Sequence, residues 1–542
     1  MIDVNNVSEL ISYQAKINGH KKSIVYPKRK FFRYKNYSYT FSELDKRVNK
    51  IANKLVKLGV KPGDKVLFFV KPNLDFCAIT FALFRMGAIS VFIDPGMKRQ
   101  YFLDSISKLK PDVLIGIPSV HFIRQFFKKN FQSIKVFITT GKFGFSQTHS
   151  LYAALERESE IFTAYNPLES DLAAILYTSG GTGKPKGVEY NHSIFINQTK
   201  MLKNEFSLTS DDIDIPGFPL FSFFTLSMGM TSVIPDMDAS KPAKCNPKKL
   251  YKNIISSKAT FIAGSPAIWE RLCDYCLKSD LSLEHVKYVV MFGAPVRNQI
   301  HLNFSKILPN GTTYTPYGAT ECLPVANISG KYILENTAHL SDSGLGTCVG
   351  VPLEFVNVKI IKQVDSPIED FSRIEELASY EVGEIIVSSP NVTKAYYQMD
   401  QETKNSKIYD GDLVWHRMGD VGYVDDNNKL WFCGRKKHVV KIDSFELYPI
   451  QIEAFFNKHP NIKRSALIYL KDSNSAGIVI EPNKSLNSIS QSFRQELLEI
   501  SNSIQSKIKI EKFYLKNKFP VDVRHNIKID RTLLSKEFSG VL

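Results

Sequence analysis

The residues best suited to chemistry lie in one short stretch, Tyr177-Thr-Ser-Gly-Gly-Thr-Gly-Lys-Pro-Lys-Gly-Val188, directly after the apolar run 172–176. Glycines here let backbone N–H groups turn toward an anion with no Cβ in the way. The hydroxyls of Thr178, Ser179 and Thr182 add donors, and Lys186 adds charge. Gly180, Gly181 and Gly183 supply the freedom to wrap. The chemistry this permits is phosphate binding. It is not a Walker A loop, because Lys184 is followed by Pro185 rather than Ser or Thr. It is not the dinucleotide fingerprint either, since Gly181, Gly183 and Gly187 miss that spacing by one. The plain alternative is a solvated surface loop, against which stand two lysines and three hydroxyls in one turn.

Such a loop needs a scaffold. The chain has 542 residues, 43% hydrophobic and 23% charged, which excludes disordered, collagenous and coiled-coil classes and predicts two to four domains or subdomains. Residues 43–58 place Leu44, Val48, Ile51, Leu55 and Leu58 on one helical face, and 60–64 turn the chain into a β-type run at 65–70. Similar runs recur at 89–93, 113–117, 136–140, 173–177 and 288–292, separated by helical segments. That alternation predicts α/β layers with parallel strands. Residues 419–432 read as a β-hairpin, and near 435 the texture changes, predicting a tail domain of about 100 residues with a helix near 449–458 and a strand at 465–470. Seven cysteines are too sparse for a disulfide scaffold, and the start has no signal-peptide pattern. No run of about 18 apolar residues exists to span a membrane. A cytoplasmic setting is the expectation. The net charge of +16 favours anionic partners such as nucleotides, nucleic acid or a membrane surface.

The loop resembles the signature of the adenylate-forming superfamily of acyl-CoA synthetases, nonribosomal adenylation domains and luciferases, and the resemblance covers nearly the whole chain in the family's order. Tyr317-Gly318-Ala319-Thr320-Glu321 resembles the second core motif. By resemblance Tyr317 stacks on adenine, Thr320 meets phosphate and Glu321 holds Mg²⁺, an aromatic face for a base and a hard carboxylate for a hard cation. Gly293-Ala294-Pro295 resembles the segment against adenine and the acyl pocket. Asp420 matches the aspartate that accepts the ribose hydroxyls, Arg435 the arginine on ribose and phosphate, Lys437 the hinge, Gly383-Glu-Ile385 a structural motif, and Lys528 the catalytic lysine. Read on its own, Lys528 is one tail lysine among Lys507, Lys509, Lys512, Lys516 and Lys518. The resemblance implies a large α/β N-terminal domain with a β subdomain (1–436) and a small mobile α+β lid (437–542), with ATP and Mg²⁺ as cofactors. By the same resemblance Thr178, Glu321 and Lys528 would carry the catalysis: the loop and metal would hold phosphates while Lys528 would bridge carboxylate and α-phosphate.

The acceptor is read from departures. Ser444, in Lys441-Ile-Asp-Ser444, stands where ligases keep a tunnel glycine for a thiol arm. His525-Asn-Ile-Lys528 replaces the usual Ser-Gly-Lys, Pro219-Leu-Phe-Ser222 lacks a terminal aromatic or histidine, and Gly181 stands where Ser or Thr is commoner. These departures, with Asp94-Pro-Gly-Met97, residues 229–238 and residues 521–526, resemble the ATP-dependent β-lactone synthetases of the bacterial olefin-forming pathway. That branch implies adenylation of a long-chain 2-alkyl-3-hydroxy acid and attack by its own β-hydroxyl to give a β-lactone. The alternative is a long-chain acyl-CoA ligase. The resemblance also implies pathway partners: a thiolase-like condensing enzyme, a reductase and an α/β-hydrolase-type decarboxylase. His192 is a candidate base for closure, or a helix-start packing residue. The cluster Phe218, Phe221, Phe223, Phe224, Met228 and Met230 is an acyl pocket or core.

Three further features have plain readings. Cys273 and Cys276 lack companions for a zinc site and read as helix wall. Residues 121–131 mix aromatic and basic types; the favoured reading is an amphipathic helix of the α/β layer, the alternatives an interfacial helix or a nucleic-acid contact. The basic charge is spread out and no single tail holds it, so no nucleic-acid partner is expected.

Overall fold

The structure is a computed structural model that describes residues 2–30, 33–94, 96–141, 147–178, 184–504, 506–521 and 528–539. Two seven-stranded sheets, an antiparallel sheet and a small tail unit make up the chain. The first sheet runs, in spatial order, Thr148–Ser150, Val136–Thr139, Val113–Gly116, Lys65–Phe69, Ile89–Phe92, Leu172–Thr178 and Lys186–Asn191. All its pairs are parallel except the last. The second sheet carries Thr312–Tyr314, Tyr288–Met291, Phe261–Gly264, Ile213–Pro216 and Thr231–Val233, then Lys22–Lys30 and Arg33–Thr40.

The predicted helix is found at Phe41–Lys57, opened by a capping box between Thr40 and Glu43, with Leu44, Val48, Ile51 and Leu55 buried. The runs predicted as strands are strands, short and apolar because both faces are covered. Helix Leu74–Arg85 is buried from Asp75 through Arg85. It packs on strands of both large sheets, and one core takes in Val66, Phe81, Ile24 and Phe223.

The third sheet is antiparallel: Tyr317–Ala319, Cys322–Asn327, Thr347–Pro352, Leu430–Arg435, Leu413–Val424, Gly383–Ser388 and Asn357–Ile361, with Lys407–Asp410 beside Leu413–Val424. The predicted hairpin at 419–432 is its central pair, extended at both ends. Beyond Val439 the chain builds its own cores around Phe456, Leu467, Ile478 and Phe513 and around Ala466, Val479 and Leu534. Helix Pro449–Asn457 and strand Ile462–Leu470 lie where expected. Cys273 and Cys276 are buried in helix Pro266–Lys278. All seven cysteines are free.

Candidate active site

The phosphate-loop candidate springs from one edge of the first sheet. Thr178 ends Leu172–Thr178 and pairs in register with Lys186, which begins the return strand. Thr178 and Lys186 therefore sit opposite each other at the base of the turn. Ser179, Gly180, Gly181, Thr182 and Gly183 lie outside the described residues. Lys186 Nζ lies 2.7 Å from Glu402 and 4.7 Å from the centre of the Tyr396 ring. The Tyr396 hydroxyl in turn donates to Glu321 Oε1 at 2.6 Å.

Thr320 and Glu321 form the tip of a two-residue hairpin, with Ala319 opposite Cys322. The motif is a strand and tight turn. Gly318 has φ +157°, and a Cβ there would stand 2.7 Å from the Cys322 carbonyl oxygen. Thr393 N–H donates to the Glu321 carbonyl at 2.9 Å, which fixes the hairpin tip. Glu321 is thus held at both ends, by its backbone and by the tyrosine.

Asp420 comes from the central strand of the antiparallel sheet and is paired in register with Arg435. Its Oδ2 accepts from the Tyr317 hydroxyl at 2.7 Å, and its Oδ1 lies 3.1 Å from Arg435 Nη1. That close approach does not satisfy hydrogen-bond geometry, leaving Oδ1 an orphaned buried acceptor. Burial pushes the Asp420 carboxyl up, opposed by the charges of Arg435 and Lys528 and by the tyrosine hydrogen bond. Arg435 is held more firmly protonated, chiefly by Asp420. An orphaned acceptor on a buried carboxylate, beside a guanidinium, suits a diol with an attached phosphate.

The Lys528 charge lies close enough to oppose the rise of the Asp420 carboxyl. Lys528 is exposed and stands next to Ile529, which bridges back to Val521. Asp530 N–H donates to the Pro520 carbonyl at 2.9 Å, and Arg531 grips the buried Glu453 with its Nε 2.8 Å from Oε1. These contacts pin the base of the segment that carries Lys528. Residues 522–527, including His525 and Asn526, lie outside the described residues. The hinge candidate Lys437 follows Lys436, whose Nζ sits 3.0 Å from Glu384, and Glu384 is also bound by Arg417 at 2.7 and 3.0 Å. The Gly383-Glu-Ile385 motif thus has a physical role: Glu384 anchors the residue just before the hinge. Burial lowers Lys437, offset in part by Asp530.

Gly293, Ala294 and Pro295 follow strand Tyr288–Met291, and Gly293 has φ +87°. Behind them Phe292 stacks on Phe221 at 5.3 Å. Of the aromatic and Met cluster, Phe221, Phe223, Met228 and Met230 are buried core. At the same strand ends a small crevice of about 20 Å³ is lined by Phe76, Pro216, Pro219, Ser222, Ile234 and Met237 among others.

His192 is a packing residue. Its Nδ1 accepts from Val7 N–H at 3.3 Å, its ring meets Phe84 edge-on, and burial pushes it down to about 4. Sequence reading missed Tyr396, Glu402, Lys407 and His416. Lys407 is 1% exposed, donates to Thr393 Oγ1 at 3.3 Å and is pushed by burial down to about 8, against the pull of Glu321. His416, its register partner, is held far below its ordinary range by burial and by the charges of Lys407, Lys186 and Arg435. No motif marks these residues. Only the pairing of Lys407–Asp410 with Leu413–Val424 turns Lys407 inward. Together Lys186, Lys407, Arg435, Lys437 and Lys528 interact electrostatically with one another or with Glu321 and Asp420, a surplus of cations suited to a polyanion.

A layered α/β body and an antiparallel subdomain thus bring together a buried carboxylate, a guanidinium and several further cations, with the lysine of the tail in electrostatic reach, an arrangement suited to an anionic ligand. The family described as AMP-binding enzyme matches residues 19–397, and the chain belongs to that family of adenylate-forming ligases. It is similar to an olefin beta-lactone synthetase of Xanthomonas campestris pv. campestris, 35% identical over 92% of this chain and 90% of that protein. It is also similar to one of Stenotrophomonas maltophilia, 36% identical over 91% and 90%. Among solved structures it resembles ATP-bound MatB from Rhodopseudomonas palustris, with TM-score 0.76, 22% identity and 99% of both chains covered. No helix among the described residues is long and apolar enough to cross a membrane.

Proposed function

We propose that this enzyme uses Mg-ATP to adenylate a long-chain 2-alkyl-3-hydroxy acid and then closes it to a β-lactone through the acid's own β-hydroxyl. The observation that carries the reading is the Tyr317–Asp420–Arg435 group, a buried carboxylate held between a tyrosine hydroxyl and a guanidinium, with the Lys528 charge in electrostatic reach of Asp420. Residues 1–436 form the body and 437–542 the lid, swinging about Lys437.

Asp420 would take the ribose hydroxyls on its orphaned Oδ1, with Tyr317 against the base and Gly293, Ala294 and Pro295 beside it. Ser179, Gly180, Gly181, Thr182 and Gly183, with Thr178 and Lys186, would cradle phosphates. Glu321 would hold Mg²⁺: among the described residues no group of three or more His, Cys, Asp or Glu side chains is poised for a metal. A single carboxylate, with substrate phosphates and water filling the remaining positions, is a normal magnesium arrangement. When bound, the metal neutralises phosphate charge. Lys528 supplies the mobile cation that lets a carboxylate approach the α-phosphate, and releasing it breaks that stabilisation. Two anions otherwise repel, so alignment and neutralisation are the work these residues do.

Ser444 supports an internal acceptor. It lies exposed in the two-residue turn between Val440–Ile442 and Phe445–Leu447, beside Asp443 at φ +53°. A side chain there narrows the approach a thiol arm would need. Two relatives bearing the olefin beta-lactone synthetase name support the same reading. Seven free, buried cysteines suit a reducing cytoplasm, where the reductase and decarboxylase of such a pathway would be its neighbours.

The test gives purified enzyme Mg-ATP and a long-chain 2-alkyl-3-hydroxy acid, with and without CoA. Loss of one water, with AMP release independent of CoA, is expected. A CoA-dependent thioester as the main product would replace this reading with an acyl-CoA ligase.

A further inference from the structure

Residues 121–131, expected to lie apolar-side-down on the α/β layer, do so only in part: Phe127 and Phe131 pack inward while three other apolar side chains face out. They fold as a short helix, Pro118–Ile123, running into the 3-10 segment Arg124–Phe131. His121 and Phe131 turn inward, but Phe122, Ile123 and Phe126 are 50%, 51% and 70% exposed. Phe122 and Phe126 pack edge to face at 5.3 Å, so the three side chains form one outward knob. Exposing two phenylalanines and an isoleucine within five residues opposes ordinary burial and marks a contact surface.

The surroundings decide what the surface meets. Lys128 and Lys129 follow the knob and are exposed. The segment packs on helix Arg99–Leu109, where Asn130 donates to Ser107 Oγ at 2.9 Å, and that helix and its flanks expose Lys98, Arg99, Lys108 and Lys110. From 98 to 135 the chain carries eight Lys and Arg against two Asp, a net +6. More than a third of the chain's net charge of +16 therefore falls in this one segment. An apolar knob within a basic collar fits an interface that is hydrocarbon at its centre and anionic at its rim. Single-stranded nucleic acid would want flat faces for bases to stack on, whereas Ile123 offers none and the two phenyl rings meet each other edge to face.

We propose that Phe122, Ile123 and Phe126, ringed by these lysines and arginines, seat the enzyme peripherally on an anionic lipid bilayer. The inference stands without the lactone reading, because it concerns the surface and not the reaction.

The test is co-sedimentation of the full chain with vesicles of phosphatidylcholine alone or mixed with phosphatidylglycerol. The wild type is expected to pellet with the anionic vesicles, to bind pure phosphatidylcholine at least about tenfold more weakly, and to be released by salt. Phe122→Asp with Phe126→Asp should weaken binding by at least about tenfold. Lys128→Glu with Lys129→Glu should weaken it by about fivefold or more per position. Both variants should keep their melting temperatures and their ATP–pyrophosphate exchange on a short, water-soluble acid. Since these side chains already face solvent, either variant suffices if the other fails to fold. Wild type that stays in the supernatant, variants that pellet like wild type, or retention by single-stranded RNA in place of vesicles would each overturn the proposal.

Discussion

Asp214 provides a sharp test of how the body is packed. It lies on Ile213–Pro216 inside the second sheet and is fully buried. Oδ2 accepts from Thr225 Oγ1 at 2.9 Å and Oδ1 has no partner. Burial pushes this carboxyl from 3.8 up to about 7, only partly offset by Thr225 and Ser232. A carboxyl raised on folding is bound more tightly by its proton in the native state, so its contribution is fully present below about pH 4 and is lost as pH rises toward 7. Each pH unit costs about 1.4 kcal/mol. Wild type should therefore lose about 2 kcal/mol through this one group between pH 5 and pH 7, where half the proton is still bound, and a fraction of a kcal/mol more by pH 8. Asp214→Asn cannot titrate and keeps an acceptor for Thr225, so it removes the slope. The assay is paired urea unfolding of wild type and variant at pH 5 and pH 8, comparing the difference between them. The variant should gain about 2–3 kcal/mol relative to wild type on going from pH 5 to pH 8. An identical difference at both pH values would mean that Asp214 is ionised throughout, and that the sheet interior is wetter or better paired than described.

Other consequences are equally direct. Asp420→Asn should raise the KM for ATP by about 10- to 100-fold in steady-state kinetics, because a charged acceptor for hydroxyl donors is lost. Glu384→Gln should cost about 3–5 kcal/mol and lower the melting temperature, since the buried Arg417 would lose its carboxylate partner and Lys436 would keep only the exposed Asp365. Ser444→Gly should leave lactone formation within about twofold, as an exposed turn residue past which no thiol needs to move. A large loss there would show that the turn itself serves the chemistry.

Much of the fold was legible because parallel strands covered on both faces are short apolar runs, and those at 65–70, 113–117 and 288–292 stand out between helices. The site was legible only where chemistry and backbone coincide. Thr178 and Lys186 bracket a glycine turn, and Asp420 and Arg435 occupy facing positions of one hairpin. Lys407 was not, because a lysine opening a strand looks solvated until strand Leu413–Val424 covers it. Residues 121–131 misled for the opposite reason. Their composition predicts an amphipathic helix, but with a helix ending at Ile123 and a tighter turn after it, Phe122 and Phe126 face outward while Phe127 and Phe131 pack inward. Lys528 carries no local signal that separates it from its neighbours; its charge gains meaning only from the return of the tail to Asp420.

The central claim is that an ammonium from the tail and the body's nucleotide groups form one adenylating site. Pyrophosphate exchange into ATP, driven by the hydroxy acid, measures that claim alone, without lactone closure or product release. Wild type should exchange, and Lys528→Ala should fall by about 10²–10³ with an unchanged melting temperature, the loss typical of one transition-state charge donor. Exchange near the wild-type rate in that variant would contradict the account.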